Sequence, residues 1–267
     1  MGKVKPLKRF GQNYLRDINI LKKIADEVDP KQSDNILEIG PGQGALTNEL
    51  LKRIDKITTV EIDNRVIEDL TERFPQLTMV EGDFLSIDLN EFTDKNKKRL
   101  RVAGNIPYNL TSPIIFKLIE KNELVDDAVL MVQYEVAKRM TAQKGIKDYG
   151  ILAVLLNYFT ETKICFKVSP NVFYPKPKVF SAVVHIIFKK PDFTKEEQKV
   201  FIKIVKAAFG KRRKILKNSL SNSIFNQFDF SDSGIDLSLR AEQLDVKDFV
   251  TLTKFAVIQS GQTGSTA

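Results

Sequence analysis

Up to about residue 190, apolar residues recur in two alternating rhythms. Short runs at Asn35–Gly40 (NILEIG), Ile57–Glu61 (ITTVE), Leu77–Val80, Leu100–Ala103 and Asp127–Val132 have the length and branched content of buried strands. Between them lie segments whose apolar positions recur three and four apart, at Ile18–Val28, Ala45 to about Arg53, Asp63–Arg73 and about Pro113–Lys121. Alternation of this kind predicts an α/β fold, a parallel sheet with helices on both faces and ligands at the carboxyl ends of its strands. Residues 150–168 and 178–189 add a helix and β-rich segments around a proline-containing loop, Ser169–Lys178. After Lys190-Pro191 the strand rhythm stops, and Lys195–Phe209, Arg212–Leu220 and Val246–Val257 read as helices. The expected organisation is an α/β domain over residues 1–190 with a basic N-terminal segment, a small helical domain over 191–258, and a flexible polar tail over 259–267.

Composition narrows the chemistry. With 42% hydrophobic and 28% charged residues in 267, the chain can build a core and gives no case for global disorder. No apolar run approaches the roughly 18 residues of a membrane span. The opening MGKVKPLKRFGQNYL lacks a signal-peptide core, so a cytoplasmic protein without a membrane partner is expected. One cysteine and one histidine exclude an internal disulfide framework and argue against any zinc or His-based metal site. Cys165 reads as a reduced core residue and His185 as an ordinary strand residue.

Charge points to a partner. The formal net charge is +8, concentrated in acid-free stretches. Residues 1–16 hold Lys3, Lys5, Lys8, Arg9 and Arg16; residues 95–101 hold Lys95, Lys97, Lys98, Arg99 and Arg101. Lys203–Lys217 has seven basic residues, and Thr162–Pro191 has no carboxylate. Any one cluster reads equally as a solvated face, but four together favour a nucleic acid, whose affinity comes largely from phosphate neutralisation. On the helical pattern of 201–208, the basic side chains of the third cluster lie opposite an apolar face, suited to tracking RNA phosphates.

The turn Gly40-Pro41-Gly42-Gln43-Gly44 sits between a strand and a helix, with Glu38 two residues ahead of it. A dinucleotide fingerprint needs G-x-G-x-x-G; the spacing here is G-x-G-x-G, the form seen in S-adenosylmethionine-dependent methyltransferases. A purely structural tight turn is the alternative. Glu61 ends the second strand, 21 residues after Gly40, where carboxylate oxygens can hold two ribose hydroxyls. Asp63 competes for that role but reads better as a helix cap. Asp83, after Gly82 at the end of the third strand, is placed to accept from an adenine amino group, or is simply a turn residue.

Asn105-Ile106-Pro107-Tyr108 follows the fourth strand and resembles the motif of methyltransferases acting on ring-conjugated amines. The exocyclic amine of adenine is a poor nucleophile because its lone pair is delocalised. Acceptors at the Asn105 side-chain oxygen and the Pro107 carbonyl would favour a pyramidal nitrogen, and Tyr108 would stack on a base taken out of its own stack. No strong general base is needed, so positioning and electrostatics carry the reaction. An ordinary Asn-x-Pro-Tyr turn is the alternative.

Nearly the whole chain resembles one family, the KsgA-type small-subunit ribosomal RNA adenine dimethyltransferases. The shared stretches are Lys8–Leu15, Glu38–Gly44, Val60–Asp63, Gly82–Phe84, Asn105–Tyr108, Tyr149-Gly150, Ser169–Val184, Arg212–Lys214 and Arg240–Leu244. Two positions depart: Tyr14, where the family more often has Phe, and Ile106, where it usually has Leu and the large-subunit Erm-type enzymes often have Ile. The resemblance implies a Rossmann-like S-adenosylmethionine-dependent methyltransferase sheet with a small C-terminal helical domain. It places cofactor contacts at Asn13, Leu15, Gly40, Glu61, Asp83 and Asn105, and makes Phe173 a second aromatic wall of the target pocket, although that residue taken alone reads as core. It further implies a monomer that dimethylates two adjacent adenosines near the 3′ end of small-subunit (16S) ribosomal RNA and serves subunit biogenesis, with the small ribosomal subunit precursor as partner. A large-subunit adenine methyltransferase conferring resistance and a mainly non-catalytic assembly factor are the rival readings. A DNA adenine methyltransferase shares the tetrapeptide, but no target-recognition domain of the expected size is visible.

Overall fold

The structure is a computed structural model that describes residues 4–7, 11–93, 98–211 and 213–263. Lys3, Lys8, Arg9, Lys95, Lys97 and Arg212 of the basic clusters therefore lie outside the described residues. In chain order the elements are β1 (Tyr14–Leu15), α1 (Ile18–Val28), β2 (Asn35–Ile39), α2 (Ala45–Leu50), β3 (Ile57–Glu61), α3 (Asn64–Arg73), β4 (Leu77–Glu81), β5 (Leu100–Asn105) and α4 (Thr111–Glu120). They continue with β6 (Val125–Gln133), α5 (Tyr134–Met140), α6 (Ile151–Phe159), β7 (Thr160–Val168), β8 (Phe173–Tyr174), β9 (Ser181–Phe188), α7 (Lys195–Phe209), α8 (Leu216–Ser221) and α9 (Val246–Thr263).

The elements predicted from periodicity recur nearly residue for residue at α1, β3 and α7, where local chemistry also marks the ends. Asp17 caps α1 by accepting from Asn19 N at 2.8 Å, and Thr194 with Glu197 forms a capping box on α7. Asp63 caps α3 as its sequence position suggested. Three elements escaped the pattern: α5 continues directly from a strand, and β1 and β8 are two residues each, too short to show a period.

Seven strands lie in the order β4-β3-β2-β5-β6-β9-β7. The pairs from β4 through β6 are parallel, and β9 runs antiparallel to β6. The order reverses between β2 and β5, opening a crevice at the carboxyl ends of those two strands, where doubly wound sheets bind ligands. A separate two-stranded ribbon pairs β1 with β8, setting Tyr14 opposite Tyr174 and Leu15 opposite Phe173.

Residues divide into two compact units, one of 1–137 and 161–189 and the other of 138–160 and 190–267. The sequence suggested a single boundary at 190; the structure instead gives 138–160 to the second unit. The reason is aromatic packing. The Tyr158 ring lies 4.4 Å from Phe201 and 5.4 Å from Phe193, and Tyr149 meets Phe209 edge-on at 6.3 Å. The expected tail is also shorter than predicted: α9 runs to Thr263, and residues 264–267 lie outside the described residues. Among the described residues, no helix is long and apolar enough to cross a membrane and no cluster is suited to a metal ion.

Candidate active site

A cleft of about 630 Å³ opens at the carboxyl ends of β2, β3 and β5. Asn13, Leu15, Gly40, Glu61, Asp83, Asn105, Pro107 and Tyr108 all line it, so residues drawn from distant parts of the chain meet on one wall. The glycine turn shapes its floor. Gly40 has φ +63° and a side chain there would point into open space, so the backbone itself faces the cleft. Gly44 has φ +74°, and a Cβ there would stand 2.6 Å from Leu70 Cδ2, so α2 can begin only against a bare backbone. The turn is therefore both structural and ligand-facing, and the two readings of the glycines do not compete.

Two carboxylates lie buried beside it. Glu61, 4% exposed, accepts from Gly42 N at 3.0 Å through Oε2, and from Ile62 N and Asp63 N at 3.0 and 2.9 Å through Oε1. These bonds orient the group and leave acceptor capacity on Oε2. Burial pushes its carboxyl up, against the N–H groups that favour its charged form. Glu38 accepts from Thr47 Oγ1 at 2.6 Å, and burial raises its carboxyl to about 7. Asp63 is otherwise employed: Arg65 holds it bidentately at 2.8 and 2.6 Å, and Gln12 donates to it at 2.9 Å.

Asp83 serves its turn and still faces the cleft. Its Oδ1 accepts from Leu85 N at 2.9 Å. The loop behind it is pinned by Lys117 of α4, whose ammonium donates to the carbonyls of Phe84 (2.7 Å), Leu85 (3.1 Å) and Ile87. Nothing in the sequence singled out Lys117, because a helical lysine shows no sign of the carbonyls it will meet.

The acceptor motif is fixed from outside. Asn105 Nδ2 donates to Asn13 O at 2.9 Å, its one hydrogen-bond partner among the described residues, which leaves Oδ1 as an acceptor. The Pro107 carbonyl already accepts from Leu110 N at 3.0 Å, which leaves one lone pair. Tyr108 shares a hydrogen with Ser181 Oγ at 2.7 Å, so its ring is held by the first residue of β9.

Phe173 is 5% exposed and packs with Leu15, Val168 and Val183. Pairing β8 with β1 turns Phe173 inward and leaves its neighbour Tyr174 exposed. Tyr14, by contrast, lines the cleft with a buried hydroxyl that has no hydrogen-bond partner; burial, with Asp63 and Glu61 nearby, raises it to about 12.

Solved structures share this fold. A dimethyladenosine transferase from Plasmodium falciparum superposes with TM-score 0.74 and 27% identity over 94% of this chain and 98% of that one. The 23S rRNA methyltransferase ErmE gives TM-score 0.66 and 25% identity over 91% and 99%. Fold and cleft thus define a Rossmann-like methyltransferase. The chain is 44% identical over 248 residues to the ribosomal RNA small subunit methyltransferase A of Chlorobium phaeobacteroides, covering 92% of each. It is 40% identical over 263 residues to the protein of that name from Aromatoleum aromaticum, covering 97% of each. Residues 4–257 match the ribosomal RNA adenine dimethylase model, and the chain belongs to that family.

Proposed function

We propose that this protein dimethylates the exocyclic amines of two adjacent adenosines near the 3′ end of small-subunit ribosomal RNA, using S-adenosylmethionine, in the course of small-subunit biogenesis. The observation that carries the reading is the free Asn105 Oδ1 at the mouth of a glycine-floored cleft, in a chain 44% identical to a small-subunit methyltransferase over most of its length. The residues present fit the cofactor. The bare backbone at Gly40 admits close approach, Glu61 Oε2 accepts from a ribose hydroxyl, and the remaining oxygen of Asp83 accepts from the adenine amino group. Leu15 supplies apolar wall, and Asn13 acts through its carbonyl on Asn105. When bound, S-adenosylmethionine supplies an electrophilic methyl group.

The protein's task is then to present the target amine. Asn105 Oδ1 and the second lone pair of Pro107 O accept its two N–H bonds, drawing the nitrogen out of conjugation with the ring. Tyr108, its plane set by Ser181, stacks on the flipped base. The methylated ammonium sheds its proton to solvent, so no buried base is required, and the site offers none beyond the carboxylates already engaged. Phe173 supplies the second aromatic wall of the target pocket. The basic stretch 203–217 tracks RNA phosphates, and the protein acts as a cytoplasmic monomer.

A second reading, methylation of a large-subunit adenosine, is favoured by the likeness to the 23S rRNA methyltransferase, though at lower TM-score. Labelled S-adenosylmethionine offered separately to unmodified small and large subunits distinguishes them. Dimethyladenosine in small-subunit RNA alone is expected. Label in the large subunit moves the substrate, and cofactor binding with no acceptor among the subunits overturns the substrate assignment. Restoration of subunit maturation in cells by an Asn105→Ala protein would make assembly the main duty.

A further inference from the structure

The end of the sheet that carries the cleft also carries a second aromatic cluster, outside it. Gln133 at the end of β6 pairs with Ser181 at the start of β9, and Tyr134 N donates to Phe180 O at 2.9 Å. The Lys167 ammonium lies over both rings, 4.5 Å from the Tyr134 centroid and 4.0 Å from the Phe180 centroid. Lys167 has no carboxylate partner among the described residues. Phe180 is 46% exposed and its chain neighbour Val179 is exposed as well.

The position is informative. Phe180 directly precedes Ser181, the residue that holds the Tyr108 hydroxyl, and Met131 of the same β6 strand pairs with Asn105. The cluster therefore stands one residue along the backbone from the anchor of the acceptor motif, on the edge of the sheet from which substrate must approach. The surrounding stretch 162–191 contains no carboxylate, and Lys176 and Lys178 are exposed on the loop leading to Phe180. An aromatic face backed by a cation without a carboxylate partner suits a nucleobase on a phosphate chain, although Glu135 beside Tyr134 is exposed.

We infer that Phe180, backed by Lys167 and Tyr134, is a stacking subsite for the unpaired nucleobase that flanks the adenosine held at Asn105–Tyr108. This rests on the RNA substrate proposed above. With the target base flipped, its neighbour loses a stacking partner; the open face of Phe180 replaces that partner, while Lys167 sits on the covered face and approaches the backbone. The subsite reads no sequence, since every base has a π-face; it holds the strand in place between successive methylations.

The test uses the full-length protein and a small-subunit 3′-end RNA fragment with 2-aminopurine beside the target adenosine. Stacking on Phe180 quenches its fluorescence. Phe180→Leu, which keeps an apolar side chain but no ring, is expected to relieve the quenching and weaken RNA binding roughly 10-fold. Phe180→Trp should preserve both, and Lys167→Gln should weaken binding less. S-adenosylhomocysteine binding, measured by calorimetry, should be unchanged in all three, which separates the subsite from a folding defect. Unaltered quenching and RNA affinity in Phe180→Leu would overturn the inference while leaving the proposed reaction intact. Failure of the wild-type protein to methylate the small subunit in the same preparation would overturn both.

Discussion

Carboxylates are buried at both ends of the parallel strands, on opposite terms. At the amino ends, Asp127 meets Arg101 bidentately at 2.8 Å on each oxygen and His185 at 2.8 Å. Arg101 also donates to Asp34 at 2.6 Å and to Val28 O at 2.7 Å. Burial pushes the Asp127 carboxyl up, but the hydrogen bonds from Arg101 and His185 outweigh it and hold the group low. At the carboxyl ends, Glu38 and Glu61 have no cation partner among the described residues, only N–H and O–H donors, and burial raises both. Charge that is matched pair by pair ties the sheet together. Carboxylates left without a counterion, beside Asn105 in one cleft, mark the candidate site.

The comparison breaks most visibly at Asn105. Asn105→Ala removes an acceptor at the reacting nitrogen, and a loss of roughly 100- to 1,000-fold in single-turnover methyl transfer at saturating cofactor is expected, with RNA binding retained. Wild-type turnover would refute the role. At the opposite end, Arg101→Ala leaves Asp127 and Asp34 without their cation, and should cost about 3 kcal/mol in urea unfolding. Residual folded enzyme at low temperature should still transfer methyl, which a catalytic role for that cluster would forbid.

Stability against pH sharpens the contrast by its slope. Glu38 titrates near 4.5 when unfolded and near 7 when folded, so the folded chain holds its proton longer. Its contribution is full below about 4.5 and is lost as pH rises to about 7, by about 3 kcal/mol. The Glu38→Gln protein should lack that decline and be the more stable of the two above pH 7. Asp127 has the opposite sign: lowered in the fold, it stabilises above the ordinary carboxylate range and loses that contribution as pH falls through it. Parallel unfolding curves of Asp127→Asn and wild type across the acid range would contradict this. The smallest effect is at Tyr14. Its hydroxyl is buried without a partner, so Tyr14→Phe should be neutral or raise stability by up to about 1 kcal/mol in thermal unfolding. A clear loss would show that the hydroxyl has found a water or ligand partner.

Much of this is legible in the order of residues alone, because it is local. Strand and helix periods, the Asp63 cap, the G-x-G-x-G turn and the acids ending successive strands are fixed by a few neighbouring residues, and a parallel α/β topology then delivers their ends to one edge. Asn105 is legible for the same reason, as the terminal residue of a strand whose direction the pattern already sets. The pairing that turns Phe173 inward is not, since it depends on how a two-residue strand meets β1, which lies far away in the chain. The aromatic packing that draws 138–160 into the second unit, the three carbonyls under Lys117, the cation set of Arg101 and the sandwich at Lys167 share that property. Each joins residues tens of positions apart whose types are unremarkable alone. Sequence by itself determined the class of chemistry and the edge of the sheet where it occurs; only the tertiary structure decided which buried carboxylates are matched by a cation, which are not, and which aromatic rings face outward.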